Sequence, residues 1–288
     1  MQYFIWFLIT ALYSPIVYQL YHSRWQTIDY THAYFIMPVS LWLVWRKRTA
    51  IKAILASNRG PQIGHSTAPK EKSLLGFSLL LLGLFLFIIG WRYDYLFLST
   101  LSLIPNLFGI TIYLYGTGMA KELIFPILYL LLMVPPPLGV LDAVTLPMRY
   151  GVSAVAYLVL RSFYFPIVKE GLLFSIEGQQ LFMGPACSGF RSLITMMSLG
   201  LVYIYCSRSR LNKKLILTTS IIPLALLGNL IRIILMCIIT YYLGEKIAQG
   251  FFHYFSGLVI FLIMLLGMMI VETSLNKMEI KTQLHDEK

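Results

Sequence analysis

The feature that most constrains this chain is a series of long apolar runs. They read as membrane spans at Tyr3–Leu20, Ile28–Trp45, Leu74–Trp91, Tyr95–Tyr115, Lys121–Val134, Ser188–Tyr205, Leu215–Leu243 and Phe251–Val271. About 20 apolar residues in a helix cross the roughly 30 Å hydrocarbon core of a bilayer. Only 12% of the residues are charged, where a soluble domain carries about 25%. The mean hydropathy is +0.74. A soluble globular enzyme, a disordered chain and a fibrous repeat are excluded. The 288 residues suit one integral membrane domain of roughly seven to nine spans. The fold class expected is therefore all-α integral membrane, a polytopic helical bundle of about eight transmembrane helices. The first run has no basic segment before it and reads as a span, not a cleaved leader.

The net charge of +11 orients the chain. Seven of the 23 Lys and Arg lie in one stretch: Arg46, Lys47, Arg48, Lys52, Arg59, Lys70 and Lys72. Four more are Arg208, Arg210, Lys213 and Lys214. Basic residues flanking apolar runs mark cytoplasmic loops and meet anionic lipid. Nucleic acid is not expected as a partner, because no basic face on a soluble unit exists. The linker 46–72, broken by Gly60-Pro61 and Ala68-Pro69, is placed in the cytoplasm, and so is 207–214. Cys187, at the far end of its span, then lies on the outer side with the turn Gly244–Gly250. The tail Lys277–Lys288 returns to the cytoplasm.

Parity leaves one stretch in tension. Pro135-Pro136-Pro137 and Cys187 both count as outside, so Leu138–Phe163 cannot cross once. Asp142, Thr145, Arg149 and Ser153 are spaced 3, 4 and 4 apart and form one polar stripe on a helix. This is the pattern of an outer-face interfacial or re-entrant amphipathic helix; otherwise one of the earlier runs does not cross. Short apolar runs between Pro166 and Met183, separated by Gly171 and by Glu177-Gly178, predict a small β-hairpin on the outer surface. The regions expected are thus the linker 46–72, an extracytoplasmic segment 138–186, and core spans over 187–272, all within one domain, 1–288.

Three separated side chains carry the chemistry. Cys187, in Gly184-Pro185-Ala186-Cys187-Ser188-Gly189, sits where a membrane helix begins, and free N–H groups and the helix dipole there favour a thiolate. Ser188 is positioned to cap that helix. Cys206 and Cys237 lack such a setting and read as small apolar fillers. About 28 Å of helix separates Cys187 from Cys206, too far for a disulfide. Arg232 lies deep in an apolar run, where a cation costs at least ~2.5–3.5 kcal/mol. It needs a wet or paired cavity, and Asn229 shares its face. His253 begins the last run and is the one His placed near both Cys187 and the outer half of the Arg232 helix. A thiolate, an imidazole and a fixed cation suit acyl transfer. Arg191, four residues after Cys187, either binds an acidic substrate group or snorkels toward headgroups. No cofactor or metal is expected, since neither a ligand-spaced His/Cys/carboxylate cluster nor a phosphate loop occurs. The competing reading is a non-catalytic or transport component of polysaccharide export, with Arg232 and His253 lining a path.

Ala186-Cys187-Ser188-Gly189-Phe190-Arg191-Ser192-Leu193, then Asn229-Leu230-Ile231-Arg232, then His253 with Gly257, resemble the exosortase/archaeosortase family over most of the chain. The resemblance implies a polytopic cysteine transpeptidase in the cell (inner) membrane, with its site facing the extracytoplasmic side. Its implied partners are membrane-anchored proteins ending in a sorting signal: a short motif, a transmembrane helix and a basic tail. It implies Cys187 as the thioester-forming nucleophile, completed by Arg232 and His253, and an unknown acceptor nucleophile linked to exopolysaccharide production. Arg191, Asn229 and Ser188 are expected to contact substrate.

Overall fold

The computed structural model describes residues 2–26, 30, 32–57, 70–137, 139–184, 188–207, 209–248, 250 and 262–277. Cys187 and His253 lie outside the described residues, as do residues 58–69 of the basic linker. The fold is an all-α polytopic membrane fold with one small sheet. The chain divides into two units, Met1–Pro137 and Leu138–Lys288.

In the first unit the helices are α1 (Gln2–Leu20), α2 (Ala33–Arg46), α3 (Arg48–Ser57), α4 (Lys70–Arg92), α5 (Leu96–Leu101), α6 (Leu103–Tyr115) and α7 (Thr117–Tyr129). The linker is thus less open than its Gly-Pro and Ala-Pro pairs suggest, because its first part, α3, is helical. The α4–α6 pair is held close by glycines at seven-residue intervals. A Cβ on Gly76 would sit 2.8 Å from the Tyr113 backbone nitrogen, and one on Gly83 2.5 Å from the Asn106 side chain. Small residues let membrane helices approach to backbone contact. Asn106 is buried and donates to Tyr13 Oη at 2.7 Å, and Tyr13 shares a 2.6 Å bond with Ser102. α7 runs antiparallel to α2. Lys47 donates to Glu122 at 2.7 Å near one end, Ser40 Oγ to the Pro126 carbonyl at 2.9 Å midway, and His32 meets the Leu132 carbonyl at 3.3 Å near the other. At the basic end of α2 the Arg48 guanidinium lies 4.1 Å from the Trp45 ring centroid, as the positive and aromatic belt requires.

The second unit holds α8 (Val140–Ser162), strands β1 (Ile167–Glu170), β2 (Leu173–Ile176) and β3 (Gln179–Phe182), then α9 (Phe190–Cys206), α10 (Leu211–Leu243), α11 (Glu245–Ile247) and α12 (residues 262–277). The expected hairpin is β2–β3, closed by Glu177-Gly178 with φ of 46° and 82°. Positive φ at both positions is the hairpin turn that matches strand twist. A further strand, β1, joins through Gly171, so the sheet is antiparallel in the order β1-β2-β3. Phe174, Ile176, Leu181 and Met183 point from it into a core shared with Val152, Ala156 and Leu160 of α8 and Ile233, Met236 and Cys237 of α10. Phe165 meets Tyr241 with ring centroids 5.2 Å apart. α8 and α10 therefore lie side by side with their C-terminal ends at the sheet. α10 also forms a second core with α9 and α12 through Met196, Ile204, Leu217, Ile221, Ala225, Met264 and Met268.

Among the described residues five helices are long and apolar enough to cross a membrane: Tyr3–Trp25, Leu74–Arg92, Leu96–Tyr115, Val140–Ser162 and Leu211–Leu243. Ala33–Arg46 and Leu193–Cys206 are apolar but shorter. The expected number of spans, eight, is therefore not reached by length and composition alone. The stripe on α8 also differs from expectation. Thr145, Arg149 and Ser153 are buried inside the unit, while Val144, Leu146, Tyr150, Val155 and Leu158 are exposed. Asp142, the fourth member of the stripe, is instead exposed; lipid, not water, suits the apolar outer face, and three of the four polar residues point inward.

Candidate functional site

The site is assembled where α9 begins and where α10 is polar. α9 starts at Phe190 because Gly189 takes a left-handed φ of 78° as its N-cap. Without a Cβ this conformation carries no steric penalty. The Gly189 carbonyl accepts the Leu193 N–H at 2.9 Å. Ser188 is 3% exposed, and its hydroxyl accepts the Phe190 N–H at 3.2 Å. It thus satisfies one of the free N–H groups of the helix start, from the position before the N-cap.

Gly189 also fixes what lies opposite. A Cβ there would fall 2.8 to 2.9 Å from the side chain of Asn229. The backbone at Gly189, two residues after Cys187 in the sequence, is therefore pressed against α10 at Asn229. Asn229 and Arg232 are 0% and 4% exposed. They share the buried face of α10 with Gly228, Ile233 and Met236. The sequence motifs around residues 189 and 229, 40 positions apart, are thus in contact. Arg191 lies in the first turn of α9. Cys237 is buried in the core between α8, α10 and the sheet, as a small apolar residue would be, and Cys206 ends α9.

α8 adds residues that the sequence reading treated only as a surface stripe. Arg149 is 8% exposed, and Asp142 is near it at 3.9 Å. Ser153, one turn on, is fully buried. The signal that could have found them is the one that found Arg232, a cation in an apolar helix.

This arrangement defines a polytopic membrane protein with a buried, cationic polar layer inside its helices, beside a glycine-pinned helix start. The family model of the transmembrane exosortases matches residues 25–270, and the chain belongs to that family. Comparisons with curated proteins and with solved structures give no match. Membership supports a membrane sorting transpeptidase as the general class.

Proposed function

We propose that this protein is a membrane-embedded cysteine transpeptidase that cleaves the C-terminal sorting signal of exported proteins on the extracytoplasmic side. The Cys187 thiolate adds to the carbonyl carbon of the scissile peptide bond. The oxyanion collapses, the C–N bond breaks, and the departing amine takes a proton from the His253 imidazolium, leaving a thioester on Cys187. An acceptor nucleophile then attacks the thioester, gives its proton to His253 and releases the thiolate. Arg232 stabilises the negative charge that passes between sulfur and oxyanion, and Ser188, Asn229 and Arg191 position the peptide.

The observation that carries this reading is the seating of Gly189 on Asn229, one helical turn from Arg232. It supports a site in which the segment that follows Cys187 approaches the face of α10 that carries Arg232. The test is a reporter ending in motif, apolar helix and basic tail, expressed with wild type, Cys187→Ala or Cys187→Ser. Processing is expected to be lost in both variants while they remain inserted and folded. Full processing by Cys187→Ala would refute the reading and favour a transport role. Mass spectrometry of the new C-terminus separates transfer, which leaves an attached acceptor, from hydrolysis, which leaves a free carboxylate.

A further inference from the structure

A cavity of about 600 Å³ opens between the C-terminal end of α8 and the sheet. Two opposite charges line it, Arg161 of α8 and Glu177 of the β2–β3 turn, and no ion pair joins the two. Arg161 donates to Tyr157 Oη at 3.1 Å, one turn back on α8. That bond takes one of the several N–H donors of a guanidinium and holds the group at the cavity wall. Ser175 of β2 adds a hydroxyl, and Tyr157 and Phe165 add ring surface. Glu177 is held there against its backbone preference. Its φ of 46° is left-handed, and the first position of such a hairpin turn normally takes Asn, Asp or Gly. Non-glycine residues kept in this region collect at ligand sites.

The level of the cavity on α8 narrows the ligand. Val144, Val155 and Leu158 on the outward side of the helix are exposed and apolar. Arg161 follows one turn later, and Phe163 and Tyr164 beyond it are 79% and 96% exposed. A cation and two bare aromatic rings at the end of an apolar helix mark the headgroup layer of a bilayer. The molecule most abundant at that level is a lipid headgroup. A purely anionic headgroup meets Arg161 but is repelled by Glu177, and a purely cationic group meets the reverse. A zwitterion satisfies both charges at once. Its phosphate accepts from Arg161, and a primary ammonium donates to the Glu177 carboxylate and to Ser175 Oγ.

We propose that this cavity binds a zwitterion with a phosphate and a primary amine a few bonds apart, presented by the headgroup of an aminophospholipid, and that the lipid ties the sheet and the end of α8 to the bilayer. The hairpin offers the cavity its turn end, while the chain runs on toward Cys187 from the opposite end, beyond Phe182. The lipid is thus assigned to the sheet and not to acyl transfer, and the site stands or falls apart from the transpeptidase reading. The test is the melting temperature of the full chain in nanodiscs of phosphatidylcholine, whose quaternary ammonium has no N–H to give, alone or with phosphatidylethanolamine or phosphatidylglycerol added. Native mass spectrometry reads the lipid affinity alongside. Phosphatidylethanolamine is expected to raise the wild-type melt, and phosphatidylglycerol to leave it unchanged. Glu177→Gln and Arg161→Gln are each expected to weaken the lipid about tenfold, as loss of one charged hydrogen bond implies, and to remove the rise. Both are expected to melt as wild type does in phosphatidylcholine, since the two side chains are exposed. Glu177→Asn suits the left-handed turn position better, so it is expected to melt higher than wild type in phosphatidylcholine and still to lose the response. A turn residue that binds nothing would gain the melt and keep the response. A rise equally strong with phosphatidylglycerol, or one retained in Glu177→Gln and Arg161→Gln, overturns the proposal; the first marks a general anionic contact and the second a bulk effect of the bilayer. No rise with phosphatidylethanolamine overturns it too. Soluble glycerophosphoethanolamine added to phosphatidylcholine discs separates the sources: a rise that it reproduces in full keeps the zwitterion site and removes the lipid from it.

Discussion

At the scale of single residues, Gly189 meets two demands that no other residue type satisfies together. Its φ of 78° is left-handed, and an added Cβ would be within 2.8 Å of Asn229. The first costs an L-residue roughly 1–2 kcal/mol, and the second forces Asn229, and with it the turn that carries Arg232, to shift. Gly189→Ala is therefore expected to lower stability by about 1–2 kcal/mol and to reduce reporter processing by far more than that loss explains. Pairing it with Asn229→Ser, which frees space, is expected to restore part of the stability, and a double-mutant cycle on denaturation measures this. Strict additivity would mean that the two positions do not touch. The motif residues were legible in the sequence for a simple reason. A cation or a Gly-Pro-rich turn stands out against apolar surroundings, so Arg232, Asn229 and Ser188 could be picked out before any coordinates. Their contact could not be picked out, because nothing in the sequence pairs position 189 with position 229. Arg149 was legible as a member of a stripe, but its meaning depends on which solvent the opposite face meets.

The same dependence runs through the elements. Hydropathy runs located α4, α8 and α10, and the Glu177-Gly178 turn located the hairpin, because these signals are local. The close packing of α4 on α6 was not read, since glycines at positions 76 and 83, with Gly90 against α5, leave no hydrophobic pattern, only an absence of side chains. Gly76→Ala is expected to cost about 1–3 kcal/mol by overpacking against the Tyr113 backbone. Gly151→Ala, where nothing lies within 4 Å, is expected to gain up to about 1 kcal/mol in helix propensity. Melting of the two variants side by side checks the contrast. α8 carries a second test. Its outward apolar face and its 23 residues suit a crossing helix, about 34 Å long. Cysteines placed at Gly139 and Tyr164 are expected to react with an impermeant thiol reagent from opposite sides of the membrane. That result would make α7, with 13 residues and about 20 Å of length, the earlier run that turns back. Reaction from the same side would instead return α8 to an interfacial or re-entrant position.

For the whole molecule, the decisive quantity is the sidedness of the polar layer in α10. This helix has 33 residues, about 50 Å at 1.5 Å per residue, well beyond a hydrocarbon core of roughly 30 Å. Its N-terminal end follows the basic segment of Arg210, Lys213 and Lys214, where Lys213 lies 3.5 Å from Glu272 of α12 and Glu272 accepts from Tyr203 of α9. That end is anchored by charge on the side where positive residues collect. Asn229 and Arg232 lie 15 and 18 residues beyond Lys214, about 22 and 27 Å along the helix axis. α9 runs from Gly189, which rests on Asn229, to Cys206 at the basic end, and the proposed orientation sets its Gly189 end toward the extracytoplasmic side. An impermeant thiol reagent added to intact spheroplasts is accordingly expected to modify Cys187 and to leave Cys206 untouched until the membrane is opened. Cys237, fully buried, is expected to stay unmodified in both conditions. Modification of Cys187 only after permeabilisation would reverse the orientation of α9 and α10 together. A sulfur on the cytoplasmic face could not act on proteins already exported, and the enzyme reading would fail with it.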